Sequence, residues 1–378
     1  MKKYYLLFAL PLLFSIHACD PENNGNENPV LENIDTPTTW TADKVWLISE
    51  DIDVNSDLTI EPGTVVKFAS GASMYVGYSE YASVKALGTE DDPVLFTSSA
   101  SDQQAGDWGC IHFYAANSST GTQFTYCTFE YGGGNSNEGM IKLDDTGITM
   151  ENCTVRHSAS AGFYLMGESK FTSFKDNLIE NCALHCINCG AAAVGSIDAS
   201  NTITSEGNYG IACSGNLKGN TTWHKFAVPY FIIDELDVEN QNGNVEWTID
   251  PGVTIKCGPG VYIWIGYNYY VKITANGTQE EPITFTSSAT SPSKGDWDEF
   301  NIGASTSSES VLNYCNFWYG GGAGYAAIYM DSENNTMQIK NSNMAYSAAG
   351  GIYIATGSPV MSGNTFNDNE GLDVEYAN

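Results

Sequence analysis

Arg156 and His157 form the one Arg-His pair in the chain, at the end of the segment ENCTVRH, and Arg156 is its single arginine. A basic residue beside a histidine could abstract a proton next to a sugar carboxylate, provided acids near by hold a cation. A solvated surface pair is the alternative. Asp144 and Asp145 offer a second chemistry, because general acid and base catalysis at a glycosidic bond needs two carboxylates at a fixed separation. A turn between the apolar segments IKL and ITM accounts for the same two residues. The acidic pairs Asp91-Asp92 and Glu280-Glu281, each followed by proline, could take calcium or form solvated turns. In CALHCINC, the residues Cys182, His185, Cys186 and Cys189 are potential metal ligands, but their spacing is neither that of a zinc knuckle nor that of a haem attachment site. No metal is therefore assigned, and a disulfide between two of these cysteines stays open.

Aromatic residues supply the remaining chemistry. In MYVGYSEYASV, Met74 and Val76 suit an interior, which turns Tyr75 outward with Tyr78 and Tyr81 beside it. In VYIWIGYNYYVKI, the same phase puts Val261, Ile263 and Ile265 inside and Tyr262 and Trp264 outside, with Tyr267, Tyr269 and Tyr270 near. Outward rings on a rigid β-face stack on sugar rings and hydrogen-bond through their polar edges. Such rings also serve as cross-strand ladders or pack under loops. The candidate ligand-binding set is Tyr75, Tyr78, Tyr81, Tyr262, Trp264, Tyr267 and Tyr270.

The elements that must position these residues are repeats. GTEDDPVLFTSSASDQQAGDW from Gly88 matches GTQEEPITFTSSATSPSKGDW from Gly277, and YCTFEYGGG from Tyr126 matches YCNFWYGGG from Tyr314. TTW opens each copy, at Thr38 and at Thr221. Asp107-Trp108 and Asp296-Trp297 occur in both copies, which suits a coil corner with a capping Asp better than a single active site. Within each copy, Cys127, Cys153 and Cys182, then Cys315 and Ser342, recur at intervals of about 26 to 29 residues, a solenoid period. Asn152, Asn181 and Asn341 precede that position, as expected of a turn ladder of side-chain amides. Short alternating segments such as VVKF, MYV, VLF, MIKL and VTIKC read as strands, and no window holds a helical stripe of useful length. In IEPGTVVKF the Pro-Gly turn leads into a strand whose Val65 and Phe68 are expected to begin the interior stack.

On these motifs the chain resembles right-handed parallel β-helix proteins of the pectin-lyase-like class. It is especially similar to Bacteroidetes surface lipoproteins that carry PGT-x-[VI]-K-F, GT-x3-P-[VI]-x-F-T-S and GDW phrases. All three occur in both copies, the first as PGVTIKC in the second. The resemblance runs from about Trp40 onward and implies an all-β fold, a right-handed parallel β-helix solenoid of two tandem repeat modules. It says little of activity, because one scaffold hosts lyases, hydrolases, adhesins and inert stalks. Of the motif series in the polygalacturonase relatives, Asp144-Asp145 is the single echo.

The first residues, MKKYYLLFALPLLFSIHAC, read as a signal peptide over 1–18. Its end resembles a lipobox, with His17 where a small residue is usual, so Cys19 is the expected lipidation site. Residues 19–37 form an acidic tether in which Asp20, Glu22 and Glu27 resemble a surface-export signal, and modules follow at 38–220 and 221–378. With 15 Lys+Arg against 45 Asp+Glu, nucleic acid is excluded as a partner and a polyanionic substrate would need a bridging cation such as calcium. The expectation is an outer-membrane, cell-surface lipoprotein that binds carbohydrate or a surface protein without catalysis and meets the membrane through its lipid anchor alone. A polysaccharide lyase or hydrolase, and a structural spacer, are the alternatives.

Overall fold

The computed structural model describes residues 27–117, 121–134, 138–333 and 335–377. The signal peptide, Cys19, Asp20 and Glu22 lie outside these residues. The described chain is a right-handed parallel β-helix, nearly all strand, with one short 3-10 helix at Ala191–Ser196. Each coil contributes strands to faces that run along the axis, and within each face strands of successive coils pair in parallel. One face is an eight-stranded sheet from Glu27–Val30 to Thr202–Ile203. A second is six-stranded in each module, from Thr38–Trp40 to Ser173–Lys175 and from Thr221–Trp223 to Val360–Ser362.

The third face changes course at the junction between the modules. In the long strand Tyr230–Val238, Tyr230 to Ile232 pair with Ile211 to Cys213 on one side and with Ile255 to Cys257 on the other. Leu236 to Val238 pair instead with Gly215 to Leu217 and with Ile263 to Ile265. The bulge that allows this lies between Cys213 and Gly215, where Gly215 takes φ +79. One face thus becomes two, the eight-stranded sheet ends, and equivalent strands of the second module stand one face further round the axis.

Alternation packs the interior. Phe96 and Phe129 stack at 4.5 Å in the first module, as do Phe285 and Phe317 at 4.9 Å in the second. The strand Val65–Phe68 corrects one expectation: Val66 and Phe68 face inward and Val65 is only partly buried, because a side-chain period of two cannot bury positions three apart. The GDW and YGGG phrases explain each other. Trp108 and Trp297 are fully buried, and their indole N–H groups donate to the carbonyls of Glu130 and Trp318 at 2.8 Å. A Cβ on Gly132 would lie 2.6 Å from the Trp108 ring, so the first glycine of YGGG is required by the buried indole. Asp107 and Asp296 cap the corner, each accepting a backbone N–H at 2.9 Å from Gln104 and Ser293 respectively.

The Cys column is buried and stacked, with the Cys127 N–H donating to Cys153 Sγ at 3.3 Å and the Cys315 N–H to Ser342 Oγ at 3.1 Å. Asn152, Asn181 and Asn341 all take left-handed φ values near +50, the turn role for which asparagine is suited. Of these three only Asn341 joins an amide ladder among the described residues, with Asn313 and Asn276 at 2.9 and 2.8 Å; Asn177 and Asn201 form another inside the coil at 2.9 Å, while Asn152 and Asn181 serve their turns through backbone conformation.

Candidate functional site

Arg156 is occupied by structure. Its Nε and NH2 groups donate to Glu130 Oε2 at 2.8 and 2.7 Å, and Glu130, 6% exposed, also accepts from Thr97 at 3.0 Å. The arginine is the counter-charge of a buried carboxylate. Arg156→Ala should therefore destabilise the fold by about 2 kcal/mol, less than a fully buried pair because the guanidinium is partly exposed. Chemical denaturation of the variant measures this, and an unchanged midpoint would refute the structural role. His157 takes φ +54 at a turn and stacks on Tyr131 at 5.2 Å, as Tyr346 stacks on Tyr319 at 5.0 Å in the second module. Asp145 likewise sits at a left-handed turn, where it accepts the Glu168 N–H at 2.9 Å, and Asp144 ends the strand Gly139–Asp144. Asp91, Asp92, Glu280 and Glu281 are exposed in turns, and Glu281 pairs with Lys225 at 2.6 Å.

Cysteines among the described residues are buried free thiols. The Cys182 thiol donates to the Glu180 carbonyl at 3.7 Å and the Cys186 thiol to the Thr204 carbonyl at 3.3 Å, and the interaction between the two neighbouring sulfurs raises the pKa of Cys182 and lowers that of Cys186. His185 packs on Phe231 at 4.7 Å and accepts the Gly210 N–H at 3.3 Å, with burial lowering its pKa. Among the described residues no group of three or more His, Cys, Asp or Glu is placed to hold a metal ion.

The seven aromatic candidates fall on two different faces. Tyr75 follows Asp53 in an outward column that continues through His112, Lys142, Tyr164, Asn188 and Ala212 to Phe231 and Lys256. Tyr78 is exposed and meets Tyr114 edge-on at 4.9 Å, and Tyr81 is exposed. Trp264 belongs to another column, Asn216, Asp237, Trp264, Asn301, Tyr329, Tyr353 and Glu375. The face switch at Tyr230–Val238 separates them.

The second column carries the better-formed site. A groove of about 360 Å³ is lined by Tyr262, Trp264, Tyr267, Tyr325 and Tyr329, with Glu299, Asn301 and Asp331 as its polar groups. Tyr262 and Trp264 stack with ring centroids 5.3 Å apart and planes 22° from parallel, and Tyr267 meets Trp264 edge-on. Tyr329 stacks on Tyr353 at 5.5 Å along the column. Glu299 is 3% exposed; its Oε1 accepts from Asn301 Nδ2 at 3.0 Å and its Oε2 has no partner among the described residues. Burial raises its pKa, with Asp298 adding to the effect against the Asn301 hydrogen bond. Trp264 and Tyr267 are shared with a second hollow lined by Glu235, Asp237, Glu239 and Asn268. There burial, then Glu239 and Glu235, push the Asp237 carboxyl up to about 6. Tyr270 stands aside, its hydroxyl 3.1 Å from Ser307 Oγ.

Residues 32–167 match the family model of the pectate-lyase like β-helix domain. No match was found among curated proteins or among solved structures. The matched part carries the parallel β-helix fold, as the stacked parallel sheets do, and ends before the groove. In that matched β-helix part, Cys110 and His112 follow Trp108 at the spacing of Glu299 and Asn301 after Trp297. The repeat keeps the scaffold and exchanges the outward side chains. Glu299, Asn301, Tyr325 and Tyr329 are missing from the sequence-based site, although comparing WGCIHF with WDEFNI position by position would have singled out the first two.

Proposed function

We propose that the β-helix binds an oligosaccharide in the groove of its second module. The observation that carries this is the Tyr262-Trp264 platform facing Tyr325 and Tyr329 across a floor of Glu299 and Asn301. Flat rings supply apolar area to the faces of sugar rings, and the polar floor supplies acceptors and a donor for hydroxyl groups. Calorimetric titration of the ectodomain with plant and host oligosaccharides tests the reading, with Trp264→Ala as control. Absence of binding by any of them overturns it.

We also infer export and lipid anchoring through Cys19, on the strength of the leader sequence and the acidic stretch behind it. Cys19→Ser should move the protein from the membrane to the soluble fraction on fractionation. An unchanged distribution would refute lipidation there.

A hydrolase reading draws on Asp237 and Glu299, two carboxyls with raised pKa on either side of Trp264. Release of reducing ends, lost in both Glu299→Gln and Asp237→Asn, would establish it.

A further inference from the structure

The lining of the groove is one-sided in charge. Glu299 and Asp331 line one hollow, Glu235, Asp237 and Glu239 the adjoining one, and neither lining includes a Lys or Arg. Acidic residues alone would be a solvated surface, but Glu299 is a different case. It is nine-tenths buried or more, lines the groove, and leaves Oε2 without a donor. A buried carboxylate oxygen in that state is costly until a donor reaches it, and a cationic donor compensates it best. Five aromatic residues stand round the same space, and aromatic faces attract cations. The equivalent column of the first module shows the contrast, with His112 and Lys142 where Asn301 and Tyr329 stand here.

We propose that the ligand of this groove carries an ammonium group, and that the groove selects glucosamine-type oligosaccharides with Glu299 as the ammonium acceptor. The inference rests on the oligosaccharide reading and narrows it to a substrate class. Anionic uronate chains are repelled by the five carboxylates, and neutral N-acetylated chains leave Glu299 Oε2 without its charge partner. Asp237, which shares Trp264 with Glu299, gives the neighbouring sugar a second acidic contact.

The test is titration of the intact ectodomain with three probes, in near-neutral buffer above the value of about 6 at which the Asp237 carboxyl titrates, where the sugar amine is still protonated in part. They are a β-1,4-linked glucosamine hexamer, its fully N-acetylated counterpart and an oligogalacturonate of equal length. The glucosamine hexamer should bind at least tenfold more tightly than the N-acetylated one, and added salt should weaken the former and leave the latter unchanged. Glu299→Gln should abolish the preference. Asp237→Asn, on a separate strand, should reduce it, so the proposal stays testable if the first variant misfolds. Equal binding of the N-acetylated hexamer, or tighter binding of oligogalacturonate, overturns the ammonium assignment and leaves the oligosaccharide groove standing. Failure of all three probes to bind removes both.

Discussion

Trp264→Ala is expected to weaken oligosaccharide binding by about thirtyfold, close to 2 kcal/mol, while leaving the fold intact. The argument starts from the strand. In Tyr262–Ile265, Ile263 and Ile265 are fully buried and hold the backbone, so Trp264 points outward without contributing to the interior. Its ring lies between two hollows, lining both, and stacks on Tyr262. Truncation removes the larger of the two rings common to both parts of the groove, leaving only Tyr267 there, and leaves Tyr262 without its neighbour. Stability should change by under about 1 kcal/mol, because the lost contacts are on a half-exposed face. Calorimetry together with a thermal melt separates the two quantities. Full affinity in the variant would remove the aromatic platform from the binding account.

The second large effect lies in the first module and concerns pH. His112 is 7% exposed on the outward side of Ile111–Phe113, stacked on Tyr114 at 3.9 Å, with Tyr75 at 6.4 Å and Lys142 in register beside it. Its Nε2 has no partner among the described residues. Burial, then the Lys142 charge, lower its pKa from 6.5 to about 4, with Glu138 opposing. Between those values the unfolded chain binds a proton that the native chain does not. The stability associated with neutral His112 is therefore complete above about pH 6.5 and is lost as pH falls toward about 4. The shift corresponds to at most about 3 kcal/mol. Urea unfolding at several pH values should show this loss in the native chain and a shallower dependence in His112→Asn, which places there the residue found in the second module. Parallel pH profiles would show that the histidine is not kept neutral by the fold.

Both results bear on how function is divided along the repeat. The buried histidine with its lysine neighbour and the buried glutamate with its aromatic ring of neighbours occupy equivalent coils. A solenoid allows this because inward positions are fixed by stacking, whereas outward ones answer only to local partners. Arg156, whose pairing with Glu130 spans adjacent strands, shows the opposite use of an outward charge, as part of the scaffold.

The amino-acid sequence by itself determined the parallel β-helix and the interior. Period-two alternation, a rung-sized repeat and the doubled phrases admit few other folds, and they place Met74, Val76, Val261, Ile263 and Ile265 inside, whereas the burial of the GDW tryptophans against YGGG is seen only in the structure. It also identified Tyr262 and Trp264 as outward, because burying Ile263 and Ile265 leaves no choice. The same periodicity misplaced Val65 only where it was applied over an odd spacing. Tertiary structure decided which outward residues meet. Tyr75 and Trp264 hold the same place in the repeat, yet the bulge before Gly215 and the double pairing of Tyr230–Val238 set them on different faces. Glu299 joins Tyr325 and Tyr329 only through strand register between coils. Alternation states which side of a strand a residue occupies; the stacking of coils determines what stands beside it.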